Sequence, residues 1–342
     1  MHCFSRDTSH DLSYALRLWG LRAFGAAAVA LIANVVSAAT IIDRASVEQA
    51  LQRGALLWDV RATADYQKGH MPGAVSIGDA SSVLRDANRE DFISVAAIER
   101  ILGGAGIDPS REIVVYGSRG TWNPYFGLYT VQYFDGKRVS VYHNGIEDWT
   151  EAGKPLSQTE TKLASVTLKL TVDNSRVVST REVIEKVGKS NVQIIDARTP
   201  AEFQGNDIRA IRGGHVPGAV NIPYEQNWQD PDTLAKLGKK QVSSSAGMAL
   251  KPVDDLRTLY AGLDKDKETI VYCQSGVRAS ESAGVLQQLG FKNVKVYDSS
   301  WLGYASVLDA PAENVTFVNV GALQNRIQAL QNRLDALEAV RK

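Results

Sequence analysis

The segment Gly69-His70-Met71-Pro72-Gly73-Ala74-Val75 returns as Gly214-His215-Val216-Pro217-Gly218-Ala219-Val220, and this recurrence governs the reading of everything around it. Upstream of each copy runs a short apolar strand ending in a charged turn: Leu56-Leu57-Trp58-Asp59-Val60-Arg61, then Val192-Gln193-Ile194-Ile195-Asp196-Ala197-Arg198. Before each strand stands a helix with its own signals. Ser46-Val47-Glu48-Gln49 and Ser179-Thr180-Arg181-Glu182 fit a capping box, and Gly54 and Gly188 stand where those helices should end. Downstream, Ile113-Val114-Val115-Tyr116 and Thr269-Ile270-Val271-Tyr272 are buried-type strands, each flowing into a Gly-containing loop and a helical segment. The chain is a duplication. Short apolar strands alternating with helices predict the α/β class, each half a mostly parallel sheet covered by helices on both faces.

Composition bounds the rest. The 342 residues are 44% apolar and 22% charged, which excludes disorder and collagen and suits two domains better than one. Lys plus Arg and Asp plus Glu both total 38, so no global positive field draws in nucleic acid, and a small molecule or a protein is the expected partner. Residues 1–39 read as a secretory signal: Arg17 and Arg22 precede the apolar stretch Ala23 to Val36, which ends in Val36-Ser37-Ala38-Ala39. Its uninterrupted apolar part is about 11 residues, short of the roughly 18 needed to span a bilayer, so no stable membrane insertion is expected after cleavage. The expected setting is periplasmic or secreted. Residues 40–158 form the first domain, 159–172 a connector that can add an edge strand, 173–311 the second domain, and 312–342 a C-terminal helix.

With Cys3 in the leader, the mature chain keeps only Cys273, which cannot form an intramolecular disulfide. A lone thiol in an oxidising compartment is either deeply buried or chemically used. Its surroundings, Val271-Tyr272-Cys273-Gln274-Ser275-Gly276-Val277-Arg278, argue for use. A strand delivers Cys273 to the carboxyl edge of the sheet, where open α/β folds bind ligands. The following residues can curl their amides inward, the next helix aims its positive end at the same spot, and Arg278 adds a cation. All three favour a thiolate over a thiol. The duplicate half has Gly117 at the matching position, as expected if one half alone does chemistry.

This duplicated pattern resembles the rhodanese family of tandem-domain sulfurtransferases, over essentially the whole mature chain up to about Pro311. Cys273 to Arg278 resembles the family's active-site loop and Asp196-Ala197-Arg198 its Asp-x-Arg turn. Gly214 to Ile222 and Tyr297-Asp298-Ser299-Ser300-Trp301 resemble two further segments. The resemblance implies an inactive first domain and a catalytic second one. It implies a Cys273 thiolate that takes the outer sulfur of thiosulfate as a persulfide and passes it to cyanide or a thiol, with no metal or organic cofactor. Arg278 and Arg198 would balance the charge of the small anionic donor, and the main chain of Gln274, Ser275, Gly276 and Val277 would hold the sulfur.

Rival readings remain open on the sequence. A phosphatase of related fold resembles a Cys separated by five residues from its Arg, whereas four separate Cys273 from Arg278, which favours sulfur. Enzymes using 3-mercaptopyruvate resemble a Cys-Gly-Ser-Gly-Val-Thr loop, and the cation in Cys-Gln-Ser-Gly-Val-Arg suits a small dianion better. A non-catalytic binding module is the third alternative.

Other conspicuous residues take a structural reading. His70 persists in the half without a nucleophile, so His70 and His215 are expected to hold turns, and Trp122, Trp149 and Trp301 to be core or interface rings. The insertion Tyr224 to Val253 either walls the site or is a surface excursion. Val320, Leu323, Ile327, Leu330, Leu334 and Leu337 form one helical stripe, which either joins a short coiled coil as a homo-oligomer or lies back on its own domain.

Overall fold

The computed structural model describes residues 39–88 and 91–341; apart from Ala39, the proposed leader lies outside them. Each half builds one four-stranded parallel sheet. In the first, β1 (Leu56–Asp59), β2 (Val75–Ser76), β3 (Ile113–Tyr116) and β4 (Val139–Tyr142) lie in the order β2-β1-β3-β4. In the second, β5 (Val192–Asp196), β7 (Val220–Asn221), β8 (Glu268–Tyr272) and β9 (Asn293–Val296) lie in the order β7-β5-β8-β9. Strands β1, β3 and most of β8 are buried on both faces, which is why they read as continuous apolar runs rather than alternating ones. The strand order reverses between β5 and β8, so a crevice opens at their carboxyl ends.

The helices following β3 and β8, Asn123–Tyr133 and Val277–Gln288, pack against each other and join the halves. A Cβ on Gly284 would lie 2.7 Å from the Tyr125 ring, so glycine permits the close approach, and Gln132 and Gln287 exchange reciprocal side-chain hydrogen bonds. One cluster of buried residues is continuous across this seam, and each half keeps a further buried cluster of its own.

Four local expectations are refined. The capping box at Ser179 forms as read, but the first helix starts at Arg44 with Asp43 as its cap; the Asp43 carboxylate accepts from the Ser46 amide at 2.8 Å. The connector adds no strand. It runs over the first half, where a Cβ on Gly103 would meet the Val166 carbonyl at 2.4 Å. Residues 312–342 are not helical throughout. Before the helix Val320–Arg341 comes β10 (Glu313–Phe317), rich in residues that favour extended backbone, pairing antiparallel with β6 (Arg212–His215). Finally, the C-terminal helix does not fold back, because its apolar stripe is exposed. Among the described residues no helix is long and apolar enough to cross a membrane.

Candidate active site

Cys273 sits one residue past β8 with only 1% of its surface exposed. Its amide donates to Ser300 Oγ at 3.0 Å, and its carbonyl accepts from the Trp301 amide at 3.0 Å, so the nucleophile candidate is pinned from both sides. Gly276 then turns the chain with φ +84°, and a Cβ there would stand 2.6 Å from both the carbonyl and the carboxylate of Asp298. Glycine is required by conformation and by space. The helix Val277–Gln288 starts immediately after, its N-terminus facing the loop.

The duplicated half shows what is special about this loop. Gly117, Ser118, Arg119, Gly120 and Thr121 match Cys273, Gln274, Ser275, Gly276 and Val277, and Gly120 repeats the left-handed turn with φ +69°. In the first loop, the amides of Arg119, Gly120 and Thr121 donate to the Glu147 carboxylate and to the carbonyls of His143 and Ser118. In the second, among the described residues, the amides of Gln274, Ser275, Gly276, Val277, Arg278 and Ala279 have no protein acceptor. Leu302 stands where Glu147 stands, so no internal carboxylate takes the donors. Unsatisfied amides following a cysteine at a helix N-terminus form a receptor for negative charge.

Arg278 lines the same cleft, but its guanidinium is already engaged. Its Nη1 and Nη2 donate to the two carboxylate oxygens of Glu202, each at 2.8 Å. Burial would lower the Arg278 pKa, but the bonds to Glu202 raise it above its ordinary value. Burial pushes the Glu202 carboxyl upward, yet the Arg278 bonds and charge win and bring it down to about 2. Glu202 is itself held by a capping box with Thr199. Arg209, half exposed, reaches the same carboxylate at 3.3 Å.

Arg198 corrects the expectation drawn from the resemblance. It is buried, chelates the Asp196 carboxylate through Nε and Nη2, and donates to the Gly214 carbonyl at 2.7 Å. Arg61 makes the same bonds to Asp59 and the Gly69 carbonyl in the first half. A guanidinium neutralised by its own carboxylate and absent from the cleft lining does not meet substrate; it braces the turn. His70 and His215 stack on Tyr66 and Phe203 and bond the carbonyls of those residues through Nδ1, holding their turns as expected.

The cleft has a volume of roughly 300 Å³. Cys273, Gln274, Ser275 and Arg278 form its floor, and the insertion supplies walls through Tyr224, Glu225 and Leu234. Trp122 of the first half closes it, its ring edge-on to Tyr224 at 5.8 Å. Trp149 and Trp301 are buried core rings. Burial raises the Glu225 carboxyl pKa, and its buried Oε2 has no hydrogen-bond partner among the described residues.

Several contributors escaped the sequence reading. Ser300 adopts φ +49° where the first half has Gly145 at φ +56°, so a side chain is forced into a glycine conformation to bring its hydroxyl to the Cys273 amide. The pair Gly145 and Ser300 in matching segments was the available signal. Arg85 and Asp91 reach from the first half to Asp298 and Ser299 at 2.7 Å each. Reciprocally, Met248 of the insertion covers the matching loop of the first half: its carbonyl accepts from His143 Nε2 at 2.8 Å, and it leaves no room for a Cβ on Gly120. Burial lowers the His143 pKa to about 4, so it is neutral at this junction. Each half thus secures the loop of the other.

Comparison with known proteins agrees with this geometry. The rhodanese-like domain matches twice, over residues 43–152 and 179–306. A protein provisionally named thiosulfate sulfurtransferase in Mycolicibacterium smegmatis is 33% identical over 264 residues, covering 73% of this chain and 88% of its own. The thiosulfate sulfurtransferase of Corynebacterium glutamicum is 32% identical over 260 residues, covering 72% and 81% respectively. Among solved structures, the 3-mercaptopyruvate sulfotransferase SseA of Escherichia coli aligns with TM-score 0.62 and 23% identity, over 77% of this chain and 98% of its own.

Proposed function

We propose, on the premise that this chain belongs to the rhodanese family and is a sulfurtransferase of that family, that thiosulfate is its sulfur donor and Cys273 the carrier. The Cys273 sulfur attacks the outer sulfur of thiosulfate, and the S–S bond breaks with its electron pair leaving on sulfite. Cys273 then holds a persulfide. A thiophile, cyanide or a thiol, attacks the terminal sulfur, and the bonding pair returns to Cys273 as a thiolate. The exchange is ping-pong and redox-balanced without a further reagent.

The observation that carries this reading is the contrast between the two loops. The amides that Glu147, His143 and Ser118 consume in the inert half are free behind Cys273, where an anionic sulfur and the leaving sulfite need them. The names borne by the relatives favour thiosulfate. An exported, periplasmic or secreted, setting remains part of the proposal on the leader sequence alone. N-terminal sequencing of protein from the producing cells tests it.

The decisive experiment incubates the protein with thiosulfate and no acceptor. One equivalent of sulfite and a one-sulfur mass gain on Cys273 support the reading. A gain that persists in Cys273→Ser, or a higher kcat/KM with 3-mercaptopyruvate than with thiosulfate, overturns it.

A further inference from the structure

The helix Val320–Arg341 contains a second repeat, unrelated to the domain duplication. Leu323-Gln324-Asn325-Arg326-Ile327-Gln328-Ala329 is followed directly by Leu330-Gln331-Asn332-Arg333-Leu334-Asp335-Ala336, and Leu337 recurs seven residues after Leu330. The period is seven. Written as heptads, the core positions a are Val320, Ile327 and Leu334, and the core positions d are Leu323, Leu330 and Leu337. Each of these six side chains is between 49% and 59% exposed, while the other faces carry mostly Gln, Asn, Asp, Glu, Arg and Ala. A seam of large apolar side chains at a period of seven matches a partner helix of the same period, and nothing in the described part of the chain covers it.

We infer that a second copy of this chain covers the seam, forming a parallel two-stranded coiled coil. Three features select this occupant and this geometry. Leucine at every d position, with Val and Ile at the first two a positions, suits the cavity shape of a parallel dimer. The flanking charges discriminate orientation. In the parallel register Arg333 at g faces Glu338 at e of the partner helix, whereas the antiparallel register brings Arg326 and Arg333, both at g, against each other. The base of the helix is also fixed. β10 is hydrogen-bonded to β6, the Glu313 carboxylate lies 3.0 Å from His215 Nε2, and Asn319 Oδ1 caps the Ala322 amide at 2.9 Å. The seam therefore leaves the sulfur-carrying half from an anchored strand, and a parallel coil holds two such halves side by side at one end of a rod roughly 33 Å long.

The test is sedimentation of the full chain from about 1 to about 100 µM, a range that brackets association of a short coil. The expected result is a monomer–dimer equilibrium whose dissociation constant rises at least about 100-fold in Leu330→Glu, with sulfur transfer per site unchanged. Cross-linking then fixes orientation: Leu337→Cys, in a Cys3→Ser and Cys273→Ser background, forms an oxidised dimer only if like residues meet. A chain that stays monomeric throughout, assembles beyond two copies, or dimerises equally well with Leu330→Glu overturns the inference. Dimers lacking the Leu337→Cys cross-link overturn the parallel arrangement.

Discussion

Arg85 Nη1 lies 2.7 Å from Asp298 Oδ1 across the seam between the halves, and its Nη2 donates to the Ser275 carbonyl at 2.6 Å. Asp298 is the residue against which Gly276 turns, so one guanidinium from the first half fixes both the wall and the floor of the Cys273 loop. Arg85 is a positioning residue. Replacing it by Ala strands a buried carboxylate and frees the loop, with an expected loss of about 3–5 kcal/mol in stability and about 10- to 100-fold in kcat/KM for thiosulfate. Because Arg85 and Asp298 act as a unit, Arg85→Ala combined with Asp298→Asn should cost far less than the sum of the single losses; additive losses would refute the coupling.

Ser300 permits a separation of strain from bonding. Its left-handed backbone costs roughly 1–2 kcal/mol, and its hydroxyl satisfies a buried amide worth about 1–3 kcal/mol if orphaned. Ser300→Gly removes both and should leave stability nearly unchanged. Ser300→Ala keeps the strain and loses the bond, so its denaturation midpoint should fall below that of the glycine variant. Turnover should drop in both, since neither anchors Cys273.

Glu225 predicts a pH dependence of donor binding. Its carboxyl pKa is raised, chiefly by burial, so the group is neutral below that pKa and adds a negative charge to the cleft above it. KM for dianionic thiosulfate should therefore rise as pH climbs above the ordinary carboxylate range, and this rise should vanish in Glu225→Gln. An unchanged profile in the variant would assign the titration to another group.

Glu202 predicts the behaviour of stability in acid. Its folded pKa of about 2 lies below the ordinary value of 4.5, so its contribution is complete above about 4.5 and is lost as pH falls toward about 2. Glu202→Gln should remove that part of the acid limb in urea titrations. At neutral pH it should destabilise by on the order of 3 kcal/mol, because the buried Arg278 loses its counter-charge.

The readable part of this molecule is the part with a local chemical reason. Strands β1, β3, β5 and β8, the Ser179 cap and the loop at Cys273 follow from apolar runs, capping patterns and a Gly-containing turn, all within short windows of sequence. Arg198 misled because its residue type fits an anion, while its neighbour Asp196 already satisfies it; the sequence shows both but not that they chelate. Arg85, Asp91 and Met248 were invisible for a different reason. Their roles arise only when the halves pack, and no spacing rule links position 85 to 298 or 248 to 120. Glu225 and Leu234 lie in an insertion whose direction of travel depends on that same packing.

The plug that Met248 sets into the first loop leaves little room for a second reactive centre there. A thiol introduced by Gly117→Cys would bring its Cβ to 3.0 Å from Pro124 Cγ, beside amides bound to Glu147, His143 and Ser118, under the cover of Met248. Restoring a reactive centre there demands several coordinated replacements, each of them loosening a junction that steadies the opposite half. A single replacement in this buttress therefore gains no chemistry and costs both halves their mutual support.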